Sequence, residues 1–298
     1  MQKIVSTIFI VIILGVVLYI QQEKKFIPEG AELKQVSGAF SFTEGPAVDS
    51  EGNVYFTDQP NNQILKWSID GTISVFMDSC GRSNGLYFNN NGKLLACADE
   101  HNQIWSIDVS TKEVEVVVNH FKGLTLNGPN DLWPDIKGGI YFTDPFYKRD
   151  YWIDSSRVAM KENVYYISPN RSSVIIVDSN LVKPNGIVGT TEGRILYVSD
   201  IGAGKTYSYH LNEDGTLSNR RLFCKMGSDG MTIDEKGNVY LTNKGVTVFN
   251  LKGEQITHFD IEEEWTANVT LGGPDRNILF ITAMNSIYTL QLNVKGTR

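Results

Sequence analysis

Beyond residue 25 the chain alternates between apolar and polar positions in short runs, as in Val54-Tyr55-Phe56-Thr57. A period of two over four to six residues predicts β-strands with one face in a core. Glycine-bearing turns separate the runs, among them Glu51-Gly52-Asn53, Asn91-Gly92-Lys93 and Lys236-Gly237-Asn238. They predict antiparallel hairpins. No stretch after residue 25 sustains a helical period.

The alternation is organised into six similar units. Each opens on a polar residue, usually followed by glycine, and continues through an apolar run, a turn, a second strand rich in Tyr, Phe, Val and Ile, and a third strand. The leading residues are Glu44, Asn84, Asn130, Asn185, Asp229 and Asn268, spaced by 40, 46, 55, 44 and 39 residues. A period of roughly 40–50 residues is that of a four-stranded propeller blade. The expected fold is therefore all-β, a six-bladed β-propeller over residues 32–298. The sixth unit shows only three strands, so the segment 32–42 is expected to pair with it and close the ring, covering an exposed edge. Residues 26–31 are expected to be a linker.

The N-terminus breaks the pattern. Ile4 to Ile20 is a 17-residue apolar run flanked by Lys3, Lys24 and Lys25. That is the lower limit for crossing a bilayer and long for the core of a signal peptide. An uncleaved signal anchor over residues 1–25 is favoured over a cleaved signal peptide. Either places the propeller outside the cytoplasm, periplasmic or extracytoplasmic, with the membrane touched through this segment alone.

Repetition carries the chemistry. The same place in each repeat is the same place in space. The six leading residues begin the innermost strands and should meet at one mouth of the central channel. They offer two carboxylates and four amides, with no sulfur or imidazole. Ca²⁺ takes six to eight oxygens at roughly 2.3–2.6 Å in loose geometry, and two carboxylates match its charge. Taken singly, each Asn or Asp could equally cap a turn. As a set they point to a cation. The loops after the second strands, starting at Asp58, Asp99, Asp144 and Asp200, should reach the same mouth. His101, in the second of these, is the neutral-pH titrating side chain of the group. An insertion in unit three, Phe146 to Asn163, mixes aromatics with charges; it is expected either to cover the channel or to form an aromatic patch facing a membrane or partner.

Composition narrows the partners. With 34 acidic against 27 basic residues the net charge is −7, which argues against nucleic acid. The four histidines and three cysteines stand in no zinc or iron spacing. Cys80, Cys97 and Cys224 are read as buried thiols, with a Cys80–Cys97 bridge left open for an exported protein.

Four motifs, Glu44-Gly45-Pro46, Gly128-Pro129-Asn130-Asp131-Leu132, Pro184-Asn185-Gly186 and Ser228-Asp229-Gly230, stand in this order over Phe42 to Leu292. Here the chain resembles the senescence-marker-protein, gluconolactonase and luciferin-regenerating-enzyme-like family of calcium-dependent lactonases. The resemblance implies Ca²⁺ (or Zn²⁺, Mg²⁺ or Mn²⁺) held by Glu44, Asn130, Asn185 and Asp229. It implies Asp229 as acid/base, acting as base or nucleophile, and a small lactone or ester as substrate. Asn84, Asn130, His101, Asp131 and Tyr147 are the expected substrate contacts, and a monomer is expected. Two departures stand out. Family members acting on aldonolactones carry Arg two places before the residue that matches Asn130, where this chain has Gly128, and a glutamate after the following strand, where this chain reads Phe142-Thr143-Asp144-Pro145-Phe146. The competing expectation is a non-enzymatic ligand- or protein-binding propeller at the cell surface. A metal-free, strictosidine-synthase-like propeller fits the oxygen-rich ring less well.

Overall fold

The computed structural model describes residues 26–152 and 160–297. It is a six-bladed all-β propeller. Blade one consists of Thr43–Val48, Val54–Asp58, Gln63–Trp67 and Ile73–Asp78, paired antiparallel in sequence order from the axis outward. Blades two to five repeat this order. Their innermost strands are Ser83–Phe88, Leu132–Pro134, Pro184–Gly189 and Met231–Ile233. Blade six takes Asn268–Gly272, Ile278–Ala283 and Ser286–Gln291 from the end of the chain, and its outer strand, Lys34–Ser37, from the beginning.

The core lies between blades. Second strands are buried along their length, as in Val54–Asp58 and Ile140–Asp144, because both faces of a blade are covered by its neighbours. Aromatic pairs fill the wedges, including Tyr141 with Tyr166 at 4.5 Å and Phe142 with Tyr165 at 5.0 Å. The turns repeat as faithfully as the strands. Asp49 Oδ1 accepts from the backbone N–H of Glu51 and Asn53, and Asp234 Oδ1 does the same for Lys236 and Asn238. Each carboxylate satisfies turn amides that would otherwise need water.

The described body begins at Phe26. Its ring is buried in the same cluster as Ile261, Leu292 and Val294, and its carbonyl accepts from Asn293 N–H at 2.7 Å. The two ends of the described chain are thereby joined. Residues 1–25, with the expected anchor, lie outside the described residues, as do 153–159 of the blade-three insertion. Among the described residues no helix is long and apolar enough to cross a membrane. Cys80, Cys97 and Cys224 are free and buried, so the bridge left open between Cys80 and Cys97 is not formed. Burial pushes the Cys80 thiol up to about 11.

Candidate functional site: a carboxylate and amide ring at the channel mouth

The six leading residues converge at the axis because the inner strands approach unusually closely. The residue after the leading one is glycine in four blades, and each of these glycines lies against the next blade's leading segment. A Cβ at Gly45 would sit 2.1 Å from the Asn84 carbonyl oxygen, and one at Gly186 would sit 2.7 Å from that of Asp229. At Gly85 it would meet Asp131 Oδ1 at 2.5 Å, and at Gly230 the side chain of Asn268 at 1.9 Å. No side chain larger than hydrogen fits without parting the blades. Hydrogen bonds complete the circle. Gly85 N–H donates to the Asn130 carbonyl at 2.8 Å, and Thr57 Oγ1 donates to the Asn84 carbonyl at 3.2 Å.

Glu44 is 2% exposed. Its Oε2 accepts from its neighbour Gly45 N–H at 3.0 Å and from Asn268 Nδ2 at 3.4 Å, which links the first inner strand to the last. Asp229 Oδ2 accepts from the indole Nε1 of Trp265 at 2.6 Å. Each carboxylate therefore spends one oxygen on a protein donor and keeps the other. Asn185 is 1% exposed. Its Nδ2 donates to the hydroxyl of Tyr147 at 3.0 Å, and its buried Oδ1 has no hydrogen-bond partner. A buried acceptor left bare costs free energy. Asn84 and Asn130 are also buried.

A third carboxylate, Asp131, is buried in the same channel. Its Oδ1 accepts from Leu132 N–H at 2.9 Å. Burial raises the carboxyl to about 8, helped by the negative charge of Asp229. Burial also pushes Glu44 well above the usual carboxylate range, with Asp229 and Asp131 adding repulsion. Asp229 rises to about 6 through burial, moderated by the Trp265 donor, by the nearby Asn185 amide and by the charge of Arg149. Three acids thus share one channel.

The donor set at the channel mouth fits a cation only as a mixed one. Among the described residues no three His, Cys, Asp or Glu side chains gather closely enough to hold a metal by themselves. The fit rests on a mixed set. The unpartnered Asn185 Oδ1 and the second oxygens of Glu44 and Asp229 are hard oxygen donors carrying two negative charges, which suits Ca²⁺.

The remaining sequence candidates divide. Tyr147 stands at the ring through Asn185. His101 is exposed and stacks on Trp105 at 5.4 Å. Of the loops expected at the channel mouth, those starting at Asp58, Asp144 and Asp200 have buried carboxylates that staple their own blade. Asp58 accepts from Ser41 and Phe42 N–H, Asp144 from Asn127 and Gly128, and Asp200 from Val182 and Lys183. Trp265 was not anticipated. It follows Glu262-Glu263-Glu264 in a loop with no counterpart in the other repeats. A cavity of ≈580 Å³ opens at the far end of the inner strands, between Val48, Tyr87, Ile233 and Thr270, with no ring carboxylate on its wall.

Comparisons with known proteins place the chain among related sequences and structures. The chain is 26% identical to a gluconolactonase of Zymomonas mobilis over 293 aligned residues, covering 89% of this chain and 82% of that protein. It is 26% identical to Lactonase drp35 of Staphylococcus haemolyticus over 229 residues, covering 72% of this chain and 67% of that one. The structure of a gluconolactonase from Xanthomonas campestris superimposes with a TM-score of 0.83 at 26% identity, covering 90% of this chain and 92% of that one. The SMP-30/gluconolactonase/LRE-like region matches residues 42–285, a span that includes all six leading residues of the channel ring, and the chain belongs to that family.

Proposed function

We propose that the chain is a lactone hydrolase whose channel ring holds a divalent cation, Ca²⁺ by the chemistry of its donors. The observation that carries this is the bare, buried Oδ1 of Asn185 beside two carboxylates that each keep one oxygen free. Membership of a family with named gluconolactonase and lactonase relatives supports the reaction class. Glu44, Asn130, Asn185 and Asp229 would hold the cation. Bound there, it would supply a Lewis acid that favours negative charge on a carbonyl oxygen.

The chain's own residues do the rest. Asp229, fixed by Trp265, accepts a proton from a water molecule. The water oxygen bonds to the lactone carbonyl carbon, the ring C–O bond breaks, and the proton returns to the departing alkoxide. The product is the open-chain hydroxy acid. A carboxyl near 6 is ionised at neutral pH yet basic enough for this task. Asn84 and Asp131 face the substrate from blades two and three, and Tyr147 bounds it above Asn185. We further place the domain outside the cytoplasm as a monomer, held by the apolar run Ile4–Ile20.

The test is a panel of aldonolactones, aliphatic lactones and aryl esters offered to the full-length protein with and without chelator. Opening of at least one lactone is expected. It should be lost on chelation and in Asp229→Asn, whose far-ultraviolet dichroism should match wild type. The loss in kcat should be about a hundredfold or more, the worth of a positioned general base. Turnover that survives both treatments removes the cation and Asp229 from the reaction.

A further inference from the structure

The repeats make one departure visible. The aspartate ending the second strand staples its own blade in blades one, three and four. In blade two the equivalent Asp99 accepts from other elements. Its Oδ2 takes Arg149 Nε at 2.7 Å, the Tyr151 hydroxyl at 2.8 Å and Gln59 Nε2 at 3.2 Å. Its carbonyl takes Trp152 Nε1 at 3.3 Å. Asp99 is thus the dock for the first part of the blade-three insertion. The other flank of the same loop is fixed to blade four. Lys183 Nζ donates to the Phe146 carbonyl at 3.1 Å and lies 4.5 Å from the centre of the Tyr147 ring.

Between these fixings the loop carries a cation to the channel mouth. The Arg149 guanidinium lies 5.4 Å from the centre of the Tyr147 ring, whose hydroxyl meets Asn185. Its charge reaches Asp229. Only Nε of Arg149 is engaged by Asp99, so the guanidinium keeps its two Nη groups as donors in a fixed plane. Gly128 leaves room for this docking. At φ +150° a Cβ there would lie 2.6 Å from Asp99 Oδ1, so a side chain at 128 and the docked Asp99 exclude each other.

We infer that Arg149, pinned by Asp99, is the residue that selects lactones bearing hydrogen-bond-accepting hydroxyls over bare rings. The inference rests on the lactone-hydrolase reading above. The substrate ring sits between the channel oxygens and the Tyr147 face, and its substituents meet Arg149. Asp99 acts through Arg149 and is a positioning residue.

The experiment compares glucono-δ-lactone with δ-valerolactone on full-length wild type, Arg149→Met, Arg149→Lys and Asp99→Asn. The readout is the ratio of kcat/KM for the hydroxylated lactone to that for the bare one. In R149M the ratio should fall about ten- to a hundredfold, carried by KM, as expected for loss of a charged donor. R149K should recover part of it, and D99N should fall in the same direction. Equal losses on both lactones in R149M and D99N, or ratios within twofold of wild type, overturn the inference and leave the hydrolase intact. Wild-type protein that opens neither lactone overturns this inference, whereas the hydrolase reading falls only if no lactone of the wider panel is opened.

Discussion

Trp265 Nε1 donates to Asp229 Oδ2 across 2.6 Å, so the indole decides which carboxylate oxygen faces the ring. A short bond to an ionised acceptor is stronger than one between neutral groups. It also sets the carboxylate plane, on which the proton transfer proposed for Asp229 depends.

Trp265→Phe keeps the ring and removes the N–H. A hydrogen bond to a charged group is worth about 1.5–3 kcal/mol, so kcat should fall about ten- to a hundredfold. Asp229 should also become harder to ionise, because a donor that lowers its pKa is lost. The acid limb of the rate profile should move to higher pH. Steady-state kinetics across pH 5 to 8 checks both. An unchanged profile would show that the indole merely fills space.

Glu44, Asp131 and Asp229 all have folded-state pKa values raised above the ordinary carboxylate range. The fold therefore binds protons at these sites more readily than the unfolded chain does. Their contribution to stability is complete below about pH 4, the usual carboxylate value. It is lost as pH rises through about 6 for Asp229 and about 8 for Asp131. In chelator, the melting temperature should fall between pH 5 and pH 8, and Asp131→Asn should flatten the slope. Added Ca²⁺ should stabilise more at pH 8 than at pH 5, because binding must displace protons. Calorimetry at the two pH values measures this, and equal Ca²⁺-induced shifts would sink it.

Gly45→Ala places a methyl group 2.1 Å from the Asn84 backbone oxygen, at φ +42°. Backbone cannot swing aside as a flexible side chain can. Overpacking costs about 1–3 kcal/mol, and the positive φ adds strain. Urea unfolding should report a loss at or above the top of that range. Gly71→Ala is the control, since its Cβ would meet nothing within 4 Å. Its φ of +87° is also left-handed, so that variant carries the strain without the collision.

The ring was legible in the sequence because repetition converts spacing into position. Glu44, Asn84, Asn130, Asn185, Asp229 and Asn268 hold equivalent places, so no knowledge of loop paths was needed. Residues outside the repeat were harder to read. Trp265 and Arg149 lie in loops without counterparts, and nothing in their local sequence says which carboxylate each will meet. His101 looked like a site residue through its chemistry, yet its ring stacks on Trp105. Asp58, Asp144 and Asp200 open loops expected at the channel mouth, where a staple and a ligand use the same side chain. Only their backbone partners tell the two apart.

The contact between Asn268 and Glu44 spans 224 residues and crosses the seam where the outer strand Lys34–Ser37 joins blade six. During synthesis Glu44 leaves the ribosome long before Asn268 does. A nascent propeller of five blades has no sixth sector and so lacks Asn268 beside Glu44. The ring can be completed only when the last blade docks on the first, so activity becomes a property of the finished molecule, and a truncated chain should remain inert however well its early blades fold.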